Sequence, residues 1–270
     1  MDVLNPNLPA IMGILNVTPD SFSDGGRYIS PAQLRERISE MLEAGADIID
    51  VGGESTRPFA EPVSAEEELQ RVLPAIRAIR ELSLDIPVSI DTTKAVVARA
   101  ALENGATMVN DISALRMDPE MIEVVKNYDG PVIIMHMHGT PRDMQISPRY
   151  DDIIEEIIFF FRERLVELDH LGIAAERLII DPGIGFGKTM EHNLTIIREL
   201  SAFKTLGRPV LLGHSRKSFL AKALGLEVDQ RDCATAMISA LSASARTADI
   251  LRVHDIPLTK QAVRLASLLS

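Results

Sequence analysis

The sequence predicts a single α/β domain, residues 1–270, that folds as a (β/α)8 barrel. Eight short runs rich in Val and Ile recur along the chain, and each is followed by a longer amphipathic stretch. No linker or low-complexity segment interrupts the series, and 270 residues is a usual length for such a barrel. A doubly wound open sheet is the alternative, although it rarely contains so many regular units.

The predicted strands follow one another at regular intervals. They cover residues 11–17, 47–52, 87–92, 107–112, 131–137, 177–182, 209–214 and 248–254. The stretch 64–82 illustrates the helices between them, because Ser64 and Glu67 form a predicted capping box and apolar residues then recur at helical spacing. Gly or Pro often precedes a strand, as in EAGAD, ENGAT and DGP, which is typical of the ends of helices in αβ loops.

Composition argues against several classes of protein. The formal net charge of −11 opposes binding to nucleic acid. The sequence contains no run of about 18 apolar residues, which would indicate a membrane span, and its first residues lack the features of a signal peptide. The lone cysteine, Cys233, cannot form a disulfide within the chain, and we expect it to be a small buried side chain on a helix. These features predict a cytoplasmic location.

Functional side chains recur at the ends of the predicted strands, where the active site of a barrel lies. Polar groups repeated at one end of nearly every strand are hard to explain as isolated structural hydrogen bonds. The residues at these ends are Asn16, Asp50, Glu54, Ser55, Thr56, Arg57, Asp91, Asn110, Asp111, Met137, His138, Asp181, Ser215, Arg216, Lys217, Ser218, Arg252 and His254.

The predicted site has two chemical halves. Acceptors and an amide suit a flat heterocycle with several N–H groups, whereas cations suit phosphate oxygens. The first half consists of Asp91, Asn110 and Asp181; the second consists of Arg57, Lys217, Arg252 and His254. We expect Arg252 and His254 to point to one face, because they are two apart on a strand. The predicted substrate is a hydrogen-bonding heterocycle attached to a phosphate.

The segment DPGIGFGKT, residues 181–189, looks like a phosphate-binding loop but matches neither usual glycine pattern. A P-loop would need glycine at the position of Pro182, and the three glycines are evenly spaced by two, unlike a dinucleotide-binding loop. We predict a sharp turn after strand six, in which the glycines let the backbone pass close to the substrate. Lys188 and Thr189 are expected to begin the next helix rather than to bind phosphate.

Five segments resemble the signature segments of the dihydropteroate synthase family. They are GILNVTPDSFSDGG (13–26), IIDVGGESTRP (48–58), DPGIGFGKT (181–189), SRKS (215–218) and RVHD (252–255). The resemblance extends from about residue 11 to the end of the sequence. It implies a (β/α)8 barrel of folate biosynthesis, a sulfonamide target, that joins 6-hydroxymethyl-7,8-dihydropterin diphosphate to 4-aminobenzoate and releases pyrophosphate.

The resemblance also implies roles for individual residues. The pterin would be held by Asp91, Asn110, Asp181 and Lys217, with Met137 beside it. The diphosphate would be held by Thr56, Arg252 and His254, with Arg57 in the same cationic half. Asn16 would help to place Mg²⁺. The aminobenzoate would lie among Phe22, Phe186, Lys217 and Ser218.

The charges predict a mechanism without a covalent enzyme intermediate. Cleavage of the carbon–oxygen bond would give a cation delocalised into the pterin ring. Mg²⁺, Arg252 and His254 would stabilise the departing pyrophosphate, and Asp91 would favour the cation. The arylamine, already uncharged near pH 7, would then attack. A Ser-His-Asp arrangement is not expected, because the adjacent His214 and Ser215 would point to opposite faces of a strand.

Other interpretations stay open on the sequence alone. A pterin-binding methyltransferase barrel shares the pterin half, but it would not need TPDSFSDGG, SRKS and RVHD together. A binding protein without catalysis is expected to have lost cationic or metal-side groups, which are present here. His136 and His138 have a spacing that could suit zinc, but no carboxylate or cysteine lies close in sequence. The region 232–245 is rich in small residues and predicts packing against a second subunit, and hence a homodimer.

Overall fold

A computed structural model of the chain describes residues 8–18, 30–55, 61–140, 144, 146 and 148–269. Within these residues, eight parallel strands alternate with helices. The strands are β1 (Ala10–Asn16), β2 (Ile48–Gly52), β3 (Val88–Asp91), β4 (Met108–Asp111), β5 (Val132–Met135), β6 (Leu178–Asp181), β7 (Leu211–Leu212) and β8 (Ile250–Val253). All eight predicted strands are therefore present, each shortened or shifted by a few residues.

The sheet closes on itself. The strands pair in the order β6-β5-β4-β3-β2-β1-β8-β7, and every pairing is parallel. A parallel bridge between Ile180 of β6 and Val210, the residue before β7, brings the two remaining edges together. The predicted (β/α)8 barrel is confirmed, and the open sheet is excluded because its edge strands would remain unpaired.

The helices lie in the intervals that the sequence predicts. In the described residues they are α1 (Pro31–Glu43), α2 (Ala65–Leu82), α3 (Ala95–Glu103), α4 (Met121–Lys126), α5 (Ile153–His170), α6 (Met190–Arg198), α7 (Ser218–Leu224), α8 (Asp232–Ser244) and α9 (Ile256–Leu269). Ser64 caps α2 and accepts the backbone N–H of Glu67. The return bond of the predicted capping box is missing from the described contacts, because the Glu67 side chain pairs instead with Arg71, one turn further along.

The inside of the barrel changes from apolar to polar along the strands. An apolar cluster fills its N-terminal part, formed by Ala10, Met12, Ile48, Met108, Ile133, Ile179, Leu211 and Ile250. Residues two apart on a strand share a face. Asp50, Asn110, Asp181 and Arg252 therefore lie one inward position beyond apolar members of this cluster. The register places these polar groups together at the C-terminal mouth.

β5 ends earlier than the sequence predicts. Its last residue is Met135, and both Met137 and His138 lie in the loop that follows. The backbone N–H of His136 still bonds to the carbonyl of Asp181 at 3.0 Å, which extends the pairing by one residue. Gly139, at φ +70°, then turns the chain away.

The predicted burial of Cys233 is wrong. The residue lies on the exposed side of α8. This helix is buried through Ala234, Thr235, Ala236, Ser239, Ser242 and Ala243, so its small residues face the rest of the protein and Cys233 faces outward.

Among the described residues, no helix is long and apolar enough to cross a membrane.

Candidate active site

Arg252 lies between two carboxylates at the mouth of the barrel. Its Nε donates to Asp50 Oδ2 at 2.6 Å, and its Nη2 donates to Asp91 Oδ2 at 2.6 Å. Asn110 Nδ2 lies 3.4 and 3.3 Å from the two carboxylate oxygens of Asp50. Four strands thus contribute to one network, which joins Arg252 of the predicted cationic half to the acceptor half.

Burial and charge together determine the protonation of this network. Burial acts to lower the pKa of Arg252, but attraction to Asp50 and Asp91 outweighs it, so the pKa is raised and the guanidinium stays charged. Burial raises the pKa of Asp91 to about 7; Arg252 opposes this rise, and neighbouring carboxylates add to it. Asp91 therefore relies on Arg252 to remain ionised near neutral pH.

Asp181 and Lys217 form the neighbouring part of the site. Asp181 Oδ1 accepts the backbone N–H of Gly183 at 2.7 Å. Burial raises the pKa of Asp181, while this hydrogen bond and the positive charge of Lys217 oppose the rise. Lys217 Nζ lies 4.1 Å from the centre of the Phe186 ring, a cation–π contact. Lys217 precedes α7 and its side chain turns inward. It is therefore not a solvated lysine in the first turn of that helix.

The surroundings of His254 favour its neutral form, whereas the sequence predicts a cation. Ser215 Oγ accepts the backbone N–H of His254 at 3.1 Å and lies 2.9 Å from its Nδ1. We assign the hydroxyl hydrogen to Nδ1, which leaves the proton of the ring on Nε2. Burial, together with the charges of nearby Arg216 and Arg252, lowers the pKa of His254 to about 3. His254 can therefore donate a hydrogen bond without carrying a charge.

His214 and Ser215 point in different directions, as the sequence predicts. His214 is fully buried, and its Nε2 lies 2.9 Å from the carbonyl of Thr235 and 3.1 Å from Ser239 Oγ. Burial lowers its pKa, and the hydrogen bonds to backbone carbonyls oppose this. The ring is thus part of the packing between β7 and α8 and cannot activate Ser215.

An apolar wall adjoins the polar residues. It consists of Ile112, Met135, Met137, Met144 and Phe186, all buried in one cluster. These side chains come from the ends of β4, β5 and β6 and the loops after them. They provide a surface against which a flat ring can pack.

The remaining predicted residues differ in what can be said of them. Ser218 is exposed at the first position of α7. Asn16 is the last residue of β1, beside Gly52 and Asp91. Phe22, Thr56 and Arg57 lie outside the described residues, so their predicted roles stay predictions.

Comparison with known proteins identifies the family. Residues 12–254 match the family of pterin binding enzymes. The chain is 47% identical to the dihydropteroate synthase of Synechocystis sp. over 259 residues, which cover 96% of this chain and 89% of that protein. The chain belongs to the dihydropteroate synthase family.

Solved structures of dihydropteroate synthases share the whole architecture. The enzyme of Yersinia pestis with a sulfonamide drug superposes with a TM-score of 0.92 at 40% identity, covering 98% of this chain and 95% of that one. The enzyme of Xanthomonas albilineans in complex with 7,8-dihydropteroate gives a TM-score of 0.87 at 39% identity, with the same two coverages. The resemblance stated from sequence motifs is therefore confirmed at the level of family and fold.

The zinc alternative does not suit this member of the dihydropteroate synthase family. His136 Nδ1 lies 3.0 Å from the ammonium of Lys188, a neighbour that would repel a metal ion. Among the residues that the structure describes, no three His, Cys, Asp or Glu side chains cluster in a way that could hold an ion. The histidines of MHMHG instead pack among aromatic rings, including Tyr150.

Three residues of the site were not assigned a role from the sequence. Asp50 was named among the residues at the strand ends but was given no role. Its position two residues after Ile48 places it on the same inward face, and this signal could have identified it as a site residue. The pairing of Ser215 with His254 joins residues 39 positions apart, so no local pattern reveals it. Lys188 was expected to begin a helix; Thr189 does cap α6, but Lys188 itself is buried.

Proposed function

We propose that this chain joins 6-hydroxymethyl-7,8-dihydropterin diphosphate to 4-aminobenzoate, which yields 7,8-dihydropteroate and pyrophosphate. The observation that carries the proposal is the group of Asp91, Asn110 and Asp181 around two cations, Arg252 and Lys217, at the mouth of one barrel. The sulfonamide and dihydropteroate complexes of its solved relatives support the same substrates.

The buried acceptors would recognise the pterin. Carboxylates accept from adjacent N–H groups, and Asn110 can both donate and accept. Asp181 is buried and the Asp91 side chain is only 11% exposed, so carboxylate oxygens left without a hydrogen-bond donor would be costly there. A ring edge rich in N–H groups would satisfy both carboxylates, whereas a ring of acceptors would not.

The same carboxylates would favour departure of pyrophosphate. The carbon–oxygen bond breaks, its electron pair leaves with the diphosphate oxygen, and the methylene carbon becomes part of a cation delocalised into the ring. Asp91 and Asp181 stabilise that positive charge. His254, as a neutral donor through Nε2–H, would give a hydrogen bond to the departing oxygens, and Arg252 would hold Asp91 in its charged form.

Mg²⁺ is a proposed partner of the reaction. A side chain at Gly52 would fill the space beside Asn16 Oδ1 and Asp91 Oδ2, 3.5 and 3.8 Å from its Cβ. Oxygen donors of this kind suit Mg²⁺, which is usually bound by few protein ligands together with substrate phosphates. Asn16 would therefore hold the ion with the diphosphate, and the ion would supply charge neutralisation of the leaving group.

The arylamine would approach past Phe186. Its nitrogen attacks the methylene carbon, forms the new carbon–nitrogen bond and then loses a proton. Lys217, already seated over the Phe186 ring, has an ammonium that can face both the pterin and the carboxylate of aminobenzoate. Ser218 is exposed beside it and can donate to the same carboxylate.

The decisive test is product formation by the purified protein. The chain is incubated with the pterin diphosphate, 4-aminobenzoate and Mg²⁺, and dihydropteroate and pyrophosphate are measured. We expect both products in equal amounts, and neither after excess chelator. Full activity in chelator would remove the metal from the mechanism, whereas pterin binding without turnover would favour the binding-protein or methyltransferase alternatives.

We also propose that two copies of the chain pair through α8. Exposed apolar side chains lie one turn apart on its outer face, Met237 at 63% and Leu241 at 69% exposure, and exposed leucines of the adjacent α9 extend the patch. Such a surface on a soluble domain usually marks an interface. A cytoplasmic location, expected from the sequence, stays a prediction.

Light scattering tests the pairing. Wild type should have twice the mass of one chain, and the double variant Met237→Lys with Leu241→Lys should have the mass of one. Val166→Lys on α5, at a comparably exposed apolar position (57%), is the control and should remain a dimer. A monomeric wild type at the concentrations of the assay would refute the interface.

A further inference from the structure

Lys188 is a buried cation next to the residues assigned to substrates. Its exposed fraction is 3%. Its Nζ lies 3.0 Å from His136 Nδ1, 3.3 Å from the His136 carbonyl oxygen and 3.0 Å from the Phe186 carbonyl oxygen. An ammonium has three N–H donors, so these three acceptors can satisfy it completely.

His136 is arranged to accept from this ammonium. Burial, together with the charge of Lys188, lowers the pKa of His136 to about 2, so the ring is neutral. The ring of Phe160 packs against it edge-on, with 5.0 Å between ring centres. A neutral imidazole held from one side can present the lone pair of Nδ1 to Lys188.

The contacts of Lys188 join two loops that line the mouth of the barrel. His136 follows β5, and its backbone N–H donates to the carbonyl of Asp181 at 3.0 Å. Phe186 belongs to the loop after β6, in which Gly183 donates to the Asp181 carboxylate. Lys188 therefore acts on both Asp181 and Phe186 through neighbouring backbone groups.

The two loops pack closely against each other. A Cβ at Gly183 would lie 2.0 Å from the His136 carbonyl oxygen and 3.3 Å from Lys188 Nζ. A Cβ at Gly187 would lie 2.8 Å from the Cβ of His138. Both glycines have positive φ, +74° and +66°, which glycine adopts readily, and the distances show that their backbone contacts the β5 loop directly. A displacement at Lys188 is consequently transmitted to Asp181.

Packing alone does not account for a cation at this position. Burial lowers the pKa of Lys188 to about 7, while Asp181 opposes the change, so the charge is held at a cost. The start of α6 does not need the ammonium, because Thr189 caps the helix and Asn193 Oδ1 accepts the backbone N–H of Gly185. Methionine would fill similar space without that cost.

We propose that Lys188 is a positioning residue, which fixes Asp181 and Phe186 relative to β5 so that the pterin meets a preformed pocket. The proposal rests on the proposed function, since it assigns the pterin to that pocket. Lys188 itself is buried, with its ammonium bonded to His136 and Phe186, and we assign it no direct role in binding substrate.

The test compares Lys188→Met and Lys188→Gln with wild type and with Lys204→Met. Lys204 is a matched control, because it pairs with Asp249 just before β8, at the opposite end of the barrel. Initial rates are measured as each substrate is varied, melting temperatures are recorded alongside, and calorimetry follows the binding of 6-hydroxymethylpterin.

For Lys188→Met we expect kcat/KM for the pterin substrate to fall about 10- to 100-fold, because small misplacements of a binding group are that costly. Pterin binding should weaken in parallel. Lys188→Gln should recover part of the loss, because its amide can still donate to a carbonyl. Lys204→Met should melt at a lower temperature with unchanged kinetic constants.

A Lys188→Met variant that melts earlier but binds and turns over pterin like wild type would overturn the proposal. So would failure of both Lys188 variants to fold, which would make the lysine a determinant of folding. If wild type makes no dihydropteroate, the proposed function fails, but calorimetry with the pterin still decides whether Lys188 positions the pocket.

Discussion

At the scale of the residue, burial changes what each charged side chain can do. Burial, together with the charge of Arg252, lowers the pKa of Lys217 to about 8, while Asp181 and Asp91 oppose the change. Lys217 is therefore a charged but poorly hydrated donor at neutral pH, aimed at the ring of Phe186. Such a preorganised donor is more effective than one that water surrounds.

Replacement of Lys217 by alanine should therefore reduce kcat/KM by about 10²- to 10³-fold, the usual effect of losing one preorganised donor. Steady-state rates with both substrates give this value. Lys222→Ala, at an exposed position on α7 just after Lys217, is the control and should match wild type. A Lys217→Ala enzyme within a few-fold of wild type would mean that the lysine is dispensable.

Asp111 should make stability depend on pH. It is fully buried, and within the described contacts its Oδ2 has no hydrogen-bond partner. Burial raises its pKa from 3.8 to about 6, against hydrogen bonds from Ser113 and the charge of Arg164. Because the folded pKa is the higher one, the folded chain binds the proton more tightly. The resulting stabilisation is present below pH 4 and is lost as pH rises through 6.

Urea unfolding at several pH values between 4 and 8 tests this. The difference in unfolding free energy between wild type and Asp111→Asn should shift by on the order of 3 kcal/mol, against wild type, as pH rises through this window. Carboxylates that do not interact with Asp111 contribute equally to both proteins and cancel in the difference, whereas Asp91, whose pKa is raised by the charge of Asp111, adds to the loss in wild type. Parallel pH curves for the two proteins would contradict the prediction.

At the scale of the element, the turn after β4 is held in an unfavourable backbone conformation. Ala114 and Leu115 have φ of +55° and +61°, a region that side chains with Cβ rarely adopt. Arg164 of α5 reaches across to them: its Nε donates to the carbonyl of Ala114 at 2.7 Å and its Nη2 to that of Leu115 at 2.9 Å. The guanidinium thereby holds the turn and, with it, Ile112, which precedes the turn and belongs to the apolar wall of the site.

Arg164→Met should lower the free energy of unfolding by about 3 kcal/mol or more, since two hydrogen bonds from a charged donor are lost and the carbonyls stay buried. Pterin affinity should fall as well, because Ile112 and Asn110 adjoin the turn. Arg162→Met, on the exposed side of α5, should change neither. Urea unfolding and calorimetry give both quantities, and unaltered stability would show that the turn holds itself.

At the scale of the whole molecule, the barrel separates stability from chemistry along its axis. The apolar cluster fills the N-terminal part, and the charged network occupies the C-terminal mouth. Ile48 and Asp50 are successive inward residues of β2 and illustrate the boundary. Substitutions on the two sides should therefore have different consequences.

Ile48→Ala should lower the free energy of unfolding by about 2–5 kcal/mol, through lost burial and the cavity left behind. Its kcat, measured well below the melting temperature, should stay near that of wild type. Asp50→Asn, by contrast, should lose a large part of its activity. Equal losses of activity in both variants would show that the two layers are coupled.

The sequence alone determined the alternation of strands and helices, the positions of the eight strands and the residues at their ends. These follow from local periodicity and from the alternation of side chains, which need no knowledge of distant partners. The motifs of the family added the pterin and aminobenzoate, which no periodicity could supply.

Only the tertiary structure decided the charge and surroundings of those residues. Arg252 lies between Asp50 and Asp91, which are 202 and 161 positions away in the sequence. His254 is neutral because it is buried and lies near two arginines. Cys233 is exposed, against the sequence prediction, and Lys188, for which the sequence predicted only a place at the start of a helix, is buried. The pKa of a side chain and the extent of its burial depend on its neighbours in space. Closure of the barrel brings those neighbours together from every part of the chain.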